Sequence, residues 1–326
     1  MSWPEVQQAR ESNRYELILN GTTISQRITS CGLDMTLFQL SNLNFLRISN
    51  TCLEILPGEL GKLSKLTTLD VHGNKLKSIP TTISSLKALK VFDVSGNNLT
   101  GLPEVVGKLV CLDTLNLSDN KLTELPPLEE LRNLARLDVS KNQLIELPES
   151  TYCLENLSVI QASHNKINYI SVEIRRLPRL KKLDLAENKL TNVPVELSEC
   201  TKLKELNLNN NPLTDNRLSK MLKQCSTKSI LEYVANFYSK ESGKKKQGGK
   251  KLKGKKLRGE DKTVNEVQPT GPIVKVVHGD RYKVIVEPSV QEIRPYIVCT
   301  IIKDLDVCDL SMFQKFIALQ VSIIKQ

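Results

Sequence analysis

An eleven-residue pattern, L-x-x-L-x-L-x-x-N-x-L, returns eight times between Leu43 and Leu213, and a repeat this regular leaves few folds open. Seven copies place an asparagine at the ninth position: Asn74, Asn97, Asn120, Asn142, Asn165, Asn188 and Asn211. The steps between them are 23, 23, 22, 23, 23 and 23 residues. The first copy (Leu43, Leu46, Ile48, Leu53) has Thr51 in that slot. In the unit 66–76 the alternation predicts a strand near 68–72, with Leu69 and Val71 facing a core and Thr68, Asp70 and His72 facing the other way. No single unit buries its own leucines. Stacked at the spacing of neighbouring strands, about 4.8 Å, eight units make an array about 40 Å long. Where each strand turns inward its backbone groups lose their ladder partners, and a buried amide with two donors and an acceptor can replace them.

Return segments after the strands read I-L-P-G-E-L-G-K-L (55–63), S-I-P-T-T-I-S-S-L (78–86), G-L-P-E-V-V-G-K-L (101–109), E-L-P-P-L-E-E-L (124–131) and N-V-P-V-E-L-S-E-C (192–200). Apolar residues three and four apart after a proline predict a short helical or 3₁₀ turn. A period in the twenties with this strand and asparagine is the signature of a leucine-rich-repeat solenoid, an α/β architecture with parallel strands on its concave face. The L-P-x-x-L-x-x-L return resembles the leucine-rich-repeat class of intracellular scaffolds rather than that of secreted receptors.

Composition narrows the setting. The chain has 326 residues, 40% of them apolar and 4% aromatic, which suits a soluble protein with a leucine core. No window approaches a membrane span and no apolar signal segment opens the chain, so the cytoplasm is expected, with the nucleus as the alternative. The eight cysteines show no C-x-x-C spacing, and reduced, mostly buried thiols are expected.

In chain order, residues 1–42 read as an N-terminal helix followed by a capping repeat. Ser2-Trp3-Pro4-Glu5 predicts a capping box, Val6 and Ala9 fall at helical spacing, and Tyr15 to Gly21 reads as a strand. Eight repeats fill 43–213. Residues 214–239 read as a helical cap in which Ile230, Leu231, Val234, Phe237 and Tyr238 make one apolar stripe. That stripe serves either as a lid on the last repeat or as a partner-binding helix.

The character changes at the Lys/Gly-rich linker 240–269. Residues 240–262 hold eleven Lys and Arg against three acids, a net of +8, with five glycines and no aromatic residue. Such a segment buries too little apolar surface to offset ordering entropy and is expected to be disordered. It reads as a solvated linker, as an arm that neutralises phosphates through Lys244, Lys245, Lys246, Lys250, Lys251, Lys253, Lys255, Lys256 and Arg258, or as both.

Residues 270–326 regain an ordered pattern. Ile273–Val277 and Tyr282–Val286 predict a hairpin, Tyr296–Ile302 a buried strand, and Asp309–Gln320 an amphipathic helix. Val284-Ile285-Val286, Ile293-Arg294-Pro295-Tyr296-Ile297-Val298-Cys299 and Phe313-x-x-Phe316-Ile317-Ala318-Leu319-Gln320 resemble the opening of the B3/B4 domain of the phenylalanyl-tRNA synthetase β subunit. Repeats, basic linker and this segment, in that order, are similar to a family of leucine-rich-repeat proteins carrying a B3/B4 domain. The resemblance implies a setting in RNA and translation. In the synthetase the B3/B4 unit houses the pocket that hydrolyses mischarged tRNA. That domain is longer than the segment present here, so the segment is expected to be incomplete, and no pocket residue can be carried over.

Catalytic chemistry lacks an inventory. Only His72, His164 and His278 are present, with no H-E-x-x-H, G-x-S-x-G, P-loop or metal-ligand spacing, so no catalytic residue, metal, cofactor or small-molecule substrate is expected. The remaining candidate is the inner wall. Its central column reads Arg47, Asp70, Asp93, Asn116, Asp138, Gln161, Asp184 and Asn207, beside a mostly small column that includes His72. The central column is polar, mildly acidic and without an aromatic anchor. It reads as a protein-binding wall or as consensus filler. The whole reads as a non-catalytic scaffold binding protein on its concave face and RNA or tRNA through the basic linker. The rivals are an editing or aminoacylation role for a complete B3/B4 domain, and a signalling scaffold with an inert tail.

Overall fold

The computed structural model describes residues 2–244. The basic residues 245–262, the predicted hairpin, strand and helix of 273–320, His278, Cys299 and Cys308 lie outside the described residues.

Nine parallel strands form one sheet in chain order: β1 (Glu16–Asn20), β2 (Phe45–Ser49), β3 (Thr68–Asp70), β4 (Val91–Asp93), β5 (Thr114–Asn116), β6 (Arg136–Asp138), β7 (Val159–Gln161), β8 (Lys182–Asp184) and β9 (Glu205–Asn207). From β3 onward each strand keeps three residues, fewer than the alternation over 68–72 predicts. The chain leaves the ladder once the asparagine of the unit takes over its carbonyls. Register follows the repeat: Leu46 pairs with Leu69, Leu69 with Phe92 and Phe92 with Leu115, so the leucine positions stack into one core.

Each asparagine does the work expected of it. Asn97 donates from Nδ2 to the carbonyls of Val71, Val94 and Ser95 at 3.0, 2.9 and 3.1 Å, and its Oδ1 accepts from the Leu76 amide at 2.9 Å. One side chain thus ties two adjacent coils together in the interior. Thr51 lacks the donors. Its amide and hydroxyl instead both donate to Asn74 Oδ1.

The residue before each slot, Asn50, Gly73, Gly96, Asp119, Lys141, His164, Glu187 and Asn210, has positive φ, from 52° to 64°. This left-handed residue turns each chain inward.

After the strands, 3₁₀ turns cover Gly58–Lys62, Thr81–Ser85, Glu104–Lys108, Glu149–Cys153, Val172–Arg176 and Val195–Glu199, all preceded by proline except one preceded by Ser171. The turn expected in 124–131 is missing. Pro126-Pro127-Leu128 has one residue fewer between proline and buried leucine than Pro57-Gly58-Glu59-Leu60, so the i→i+3 turn has no room. The amide of Leu128 is met instead by Ser150 Oγ at 3.0 Å.

Ahead of β1, α1 (Pro4–Glu11) buries Val6 and Ala9 in the core, together with Trp3 at its N-cap. The capping box does not form. Trp3 stands at the helix start, and Ser2 Oγ and the Trp3 amide both donate to Asp34 Oδ2, at 3.1 and 2.6 Å. Burial alone would push the Asp34 carboxyl up, but bonds from Thr36, Trp3 and Ser2 outweigh it and hold it below its ordinary value. Residues 21–31 of the capping region form a second helix, α2 (Gly21–Cys31). Past β9, α3 (Asn216–Gln224) starts on Asp215, which accepts from the amides of Arg217 and Leu218. α4 (Thr227–Lys244) buries Ile230 and Val234, while Phe237 stays exposed and stacks on Tyr233 with ring centroids 5.3 Å apart.

The expectation of mostly buried thiols is corrected. Of the six described cysteines only Cys200 is buried, and Cys31, Cys111, Cys153 and Cys225 are exposed. Cys200 replaces a core leucine, whereas the other five stand at positions where the repeat does not need an apolar residue. All six are free thiols, and burial pushes the Cys200 thiol up to about 11.

Candidate functional site: the concave wall

Register aligns the predicted column on one face: Arg47 pairs with Asp70, Asp70 with Asp93, Asp93 with Asn116, Asn116 with Asp138, Asp138 with Gln161, Gln161 with Asp184 and Asp184 with Asn207. Asp70 is buried and the others, with His72, are half-buried.

Most of these side chains also work for their own coil. The Oδ1 atoms of Asp70, Asp93, Asn116, Asp138, Asp184 and Asn207 accept the backbone amide two residues on, at 2.9 to 3.2 Å. These local turns meet amides that have left the ladder, which is why Asp and Asn recur there. Gln161, one methylene longer, makes no such bond. The column is therefore partly structural: one oxygen of each Asp and Asn serves its own coil, and Asp93 Oδ2 also accepts from Asn116 Nδ2 of the next coil at 2.9 Å. Sequence reasoning missed this, although Asp or Asn at six of eight central positions was its signal.

At the N-terminal end the wall changes. Arg47 Nε donates to Asp70 Oδ2 at 2.7 Å, and Asp70 Oδ1 lies 2.6 Å from His72 Nδ1. Burial tends to raise the Asp70 carboxyl, but bonds from the His72 ring and amide and from Arg47 hold it below its ordinary value. The Arg47 guanidinium also stacks over the Phe45 ring, 5.3 Å from its centroid. Phe45 is thus the aromatic residue the central column lacks, one position to its side, and Ile18 is paired with Arg47 and 46% exposed. His164, outside the predicted wall, meets Glu187 Oε2 at 2.9 Å. Of the predicted basic residues only Lys244 lies among the described ones, at the end of α4.

Among the described residues no three His, Cys, Asp or Glu side chains gather into a metal site, and no helix is long and apolar enough to cross a membrane. Along the wall, the Asp and Asn side chains are held in fixed turns by the amides of their own coils.

One parallel sheet, coils of 22 or 23 residues and an interior asparagine column define a leucine-rich-repeat solenoid. The comparisons agree: a model described as a leucine-rich repeat region matches residues 25–134, and one described as leucine-rich repeats in two copies matches residues 178–220. No curated protein matches the chain. Among solved structures it is similar to a leucine-rich-repeat protein of Leptospira interrogans, with TM-score 0.59 and 30% identity over 69% of this chain and 63% of that one. It is also similar to the leucine-rich-repeat ectodomain of the Arabidopsis thaliana membrane receptor kinase GASSHO1/SCHENGEN3, solved in complex with CASPARIAN STRIP INTEGRITY FACTOR 2. There the TM-score is 0.53 and the identity 31%, over 56% of this chain and 23% of that one. The chain therefore spans less than two thirds of either protein. Leucine-rich-repeat proteins typically act in protein–protein interaction and are generally non-catalytic.

Proposed function

We propose that this chain is a non-catalytic protein-interaction scaffold that takes its partner on the concave wall, anchored at Phe45 and Arg47. The observation that carries this reading is the half-buried Arg47 stacked on Phe45 at the end of an otherwise polar column. Aromatic and arginine side chains dominate interface energetics. The complexed plant ectodomain supports a protein partner for a repeat array of this kind. In this reading residues 1–42 and 214–239 close the ends of the array, 240–269 form a basic linker, and 270–326 contribute the B3/B4-like segment. That resemblance favours an intracellular setting near RNA and translation.

The test is a cross-linked pull-down with the full chain and with the Phe45→Ala/Arg47→Gln pair. A partner cross-linked to the wall and lost from the pair variant, at unchanged melting temperature, supports the reading. Equal recovery by both sinks it. A second contact is favoured by the net charge of +8 in residues 240–262. If the linker binds RNA, tRNA affinity drops steeply between about 50 and 200 mM salt and disappears when 240–262 are deleted. Affinity that survives the deletion removes the linker from the account.

A further inference from the structure

The two edges of the sheet are finished differently. In a parallel ladder alternate residues turn both backbone groups to the same neighbour. Tyr15 C=O accepts the amides of Asn44 and Phe45 and so faces β2; Glu16, Ile18 and Asn20 therefore turn their amides outward. Among the described residues no partner meets those amides. At the other edge, Glu205 donates to Lys181 C=O and Leu206 faces out, where its amide is met by Thr227 Oγ1 at 3.2 Å. The last strand is answered by the start of α4, and the first is open.

The open edge carries few of the usual protections, with α1 beside it and Glu16 its one charged residue. β1 has five residues where β3 to β9 have three each, and it contains neither proline nor lysine. Ile18 at its centre is 46% exposed and Tyr15 at its start 59%. A groove of about 560 Å³ runs along it, walled on one side by Glu5, Gln8 and Ala9 of α1 with Ser12 just after it, and on the other by Glu16 and Ile18.

We infer that the outer edge of β1 is a strand-addition site that takes an extended peptide segment from a partner protein. The backbone pattern selects the occupant, because outward donors and acceptors on every second residue are matched only by another extended chain. The groove sets its side chains: apolar where they lie beside Ile18 on the concave face, polar where they point to Gln8 and Ser12. A second copy of this chain is another strand-shaped occupant. It would bring its own α1 to the same edge, setting two helices in one groove, whereas a bare segment meets no such conflict. This site adjoins the N-terminal end of the wall, where Ile18 pairs with Arg47, and N-methyl and exchange readouts report the β1 edge independently of the Phe45/Arg47 pair variant.

The test uses the full chain as bait for a display library of seven-residue peptides alternating threonine with valine, isoleucine or tyrosine. Recovered peptides are resynthesised with N-methyl groups on one or the other set of alternate residues. Strand addition predicts that one methylated series loses at least about tenfold in affinity while the other keeps it. It also predicts that bound peptide slows amide exchange at Glu16, Ile18 and Asn20 by at least about tenfold. Failure to recover any peptide, equal loss in both series, protection confined to β3 through β9, or edge-dependent dimerisation without peptide binding would each overturn the inference.

Discussion

Asn120 shows what one side chain contributes in a solenoid. Its Nδ2 donates to the carbonyls of Val94, Leu117 and Ser118, and its Oδ1 accepts from Leu99, all at 3.0 to 3.2 Å in the interior. Asn120→Ala strands buried backbone groups on two coils and should cost about 2–4 kcal/mol in denaturant unfolding. Asn211→Ala should cost less, since Asn211 is only partly buried. Equal losses would show that the cost does not arise from burial. Asp70 supplies a pH test. Its carboxyl titrates below the ordinary value of 3.8, so the stability it contributes is full above that pH and lost as pH falls through its own lower value. On acidification below about pH 4, wild-type melting temperature should fall more steeply than that of Asp70→Asn. Parallel curves would rule Asp70 out as a source of acid sensitivity. The asparagine slots were legible because their period is visible and an amide is the only side chain that serves both carbonyls and amides there. The left-handed residue before each slot was half legible. Asn50, Gly73, Gly96, Asp119 and Asn210 advertise it, but Lys141, His164 and Glu187 adopt it only because the flanking coils hold the turn.

Between elements the limit is the closeness of successive coils. Gly107, buried in the turn Glu104–Lys108, has no room for a Cβ, which would lie 2.5 Å from the Pro127 carbonyl oxygen. The shortened return at Pro126-Pro127-Leu128 brings that backbone in. Gly107→Ala should therefore destabilise the protein by about 1–3 kcal/mol. Gly101→Ala, with nothing within 4 Å of an added Cβ, should be neutral or slightly stabilising. Chemical denaturation of the two variants decides it, and indistinguishable midpoints would mean the short return yields freely. Turns after Pro57, Pro80, Pro103 and Pro194 could be read directly, since proline supplies the entry φ and the leucine spacing supplies the turn. The missing turn in 124–131 was visible only as a 22-residue step, and the spacing alone does not say which part of a coil gives up the residue. α2 was hidden because Gly21–Cys31 is largely polar, with Ile24 its only buried residue.

Across the molecule, stability in a stacked array is a sum of nearest-neighbour terms, so damage at one end should stay there. The C-terminal end offers a clean case. Val234 of α4 is fully buried, and α4 packs on the turn Val195–Glu199 of the last return segment. Val234→Asp puts an unpaired carboxylate into that contact, and the resulting loss of several kcal/mol should release α4 from the last coil. Leu206 then loses the Thr227 hydroxyl and β9 becomes an open edge like β1. Hydrogen exchange should rise at least about tenfold in β8 and β9 while β2 to β5 keep their protection, because the core leucines of the distant coils contact only their own neighbours. A uniform rise across all nine strands would instead show that the array opens as one cooperative unit. In that case a ligand bound at the wall or at the β1 edge would stabilise every coil together, whereas local opening confines its effect to the coils it touches.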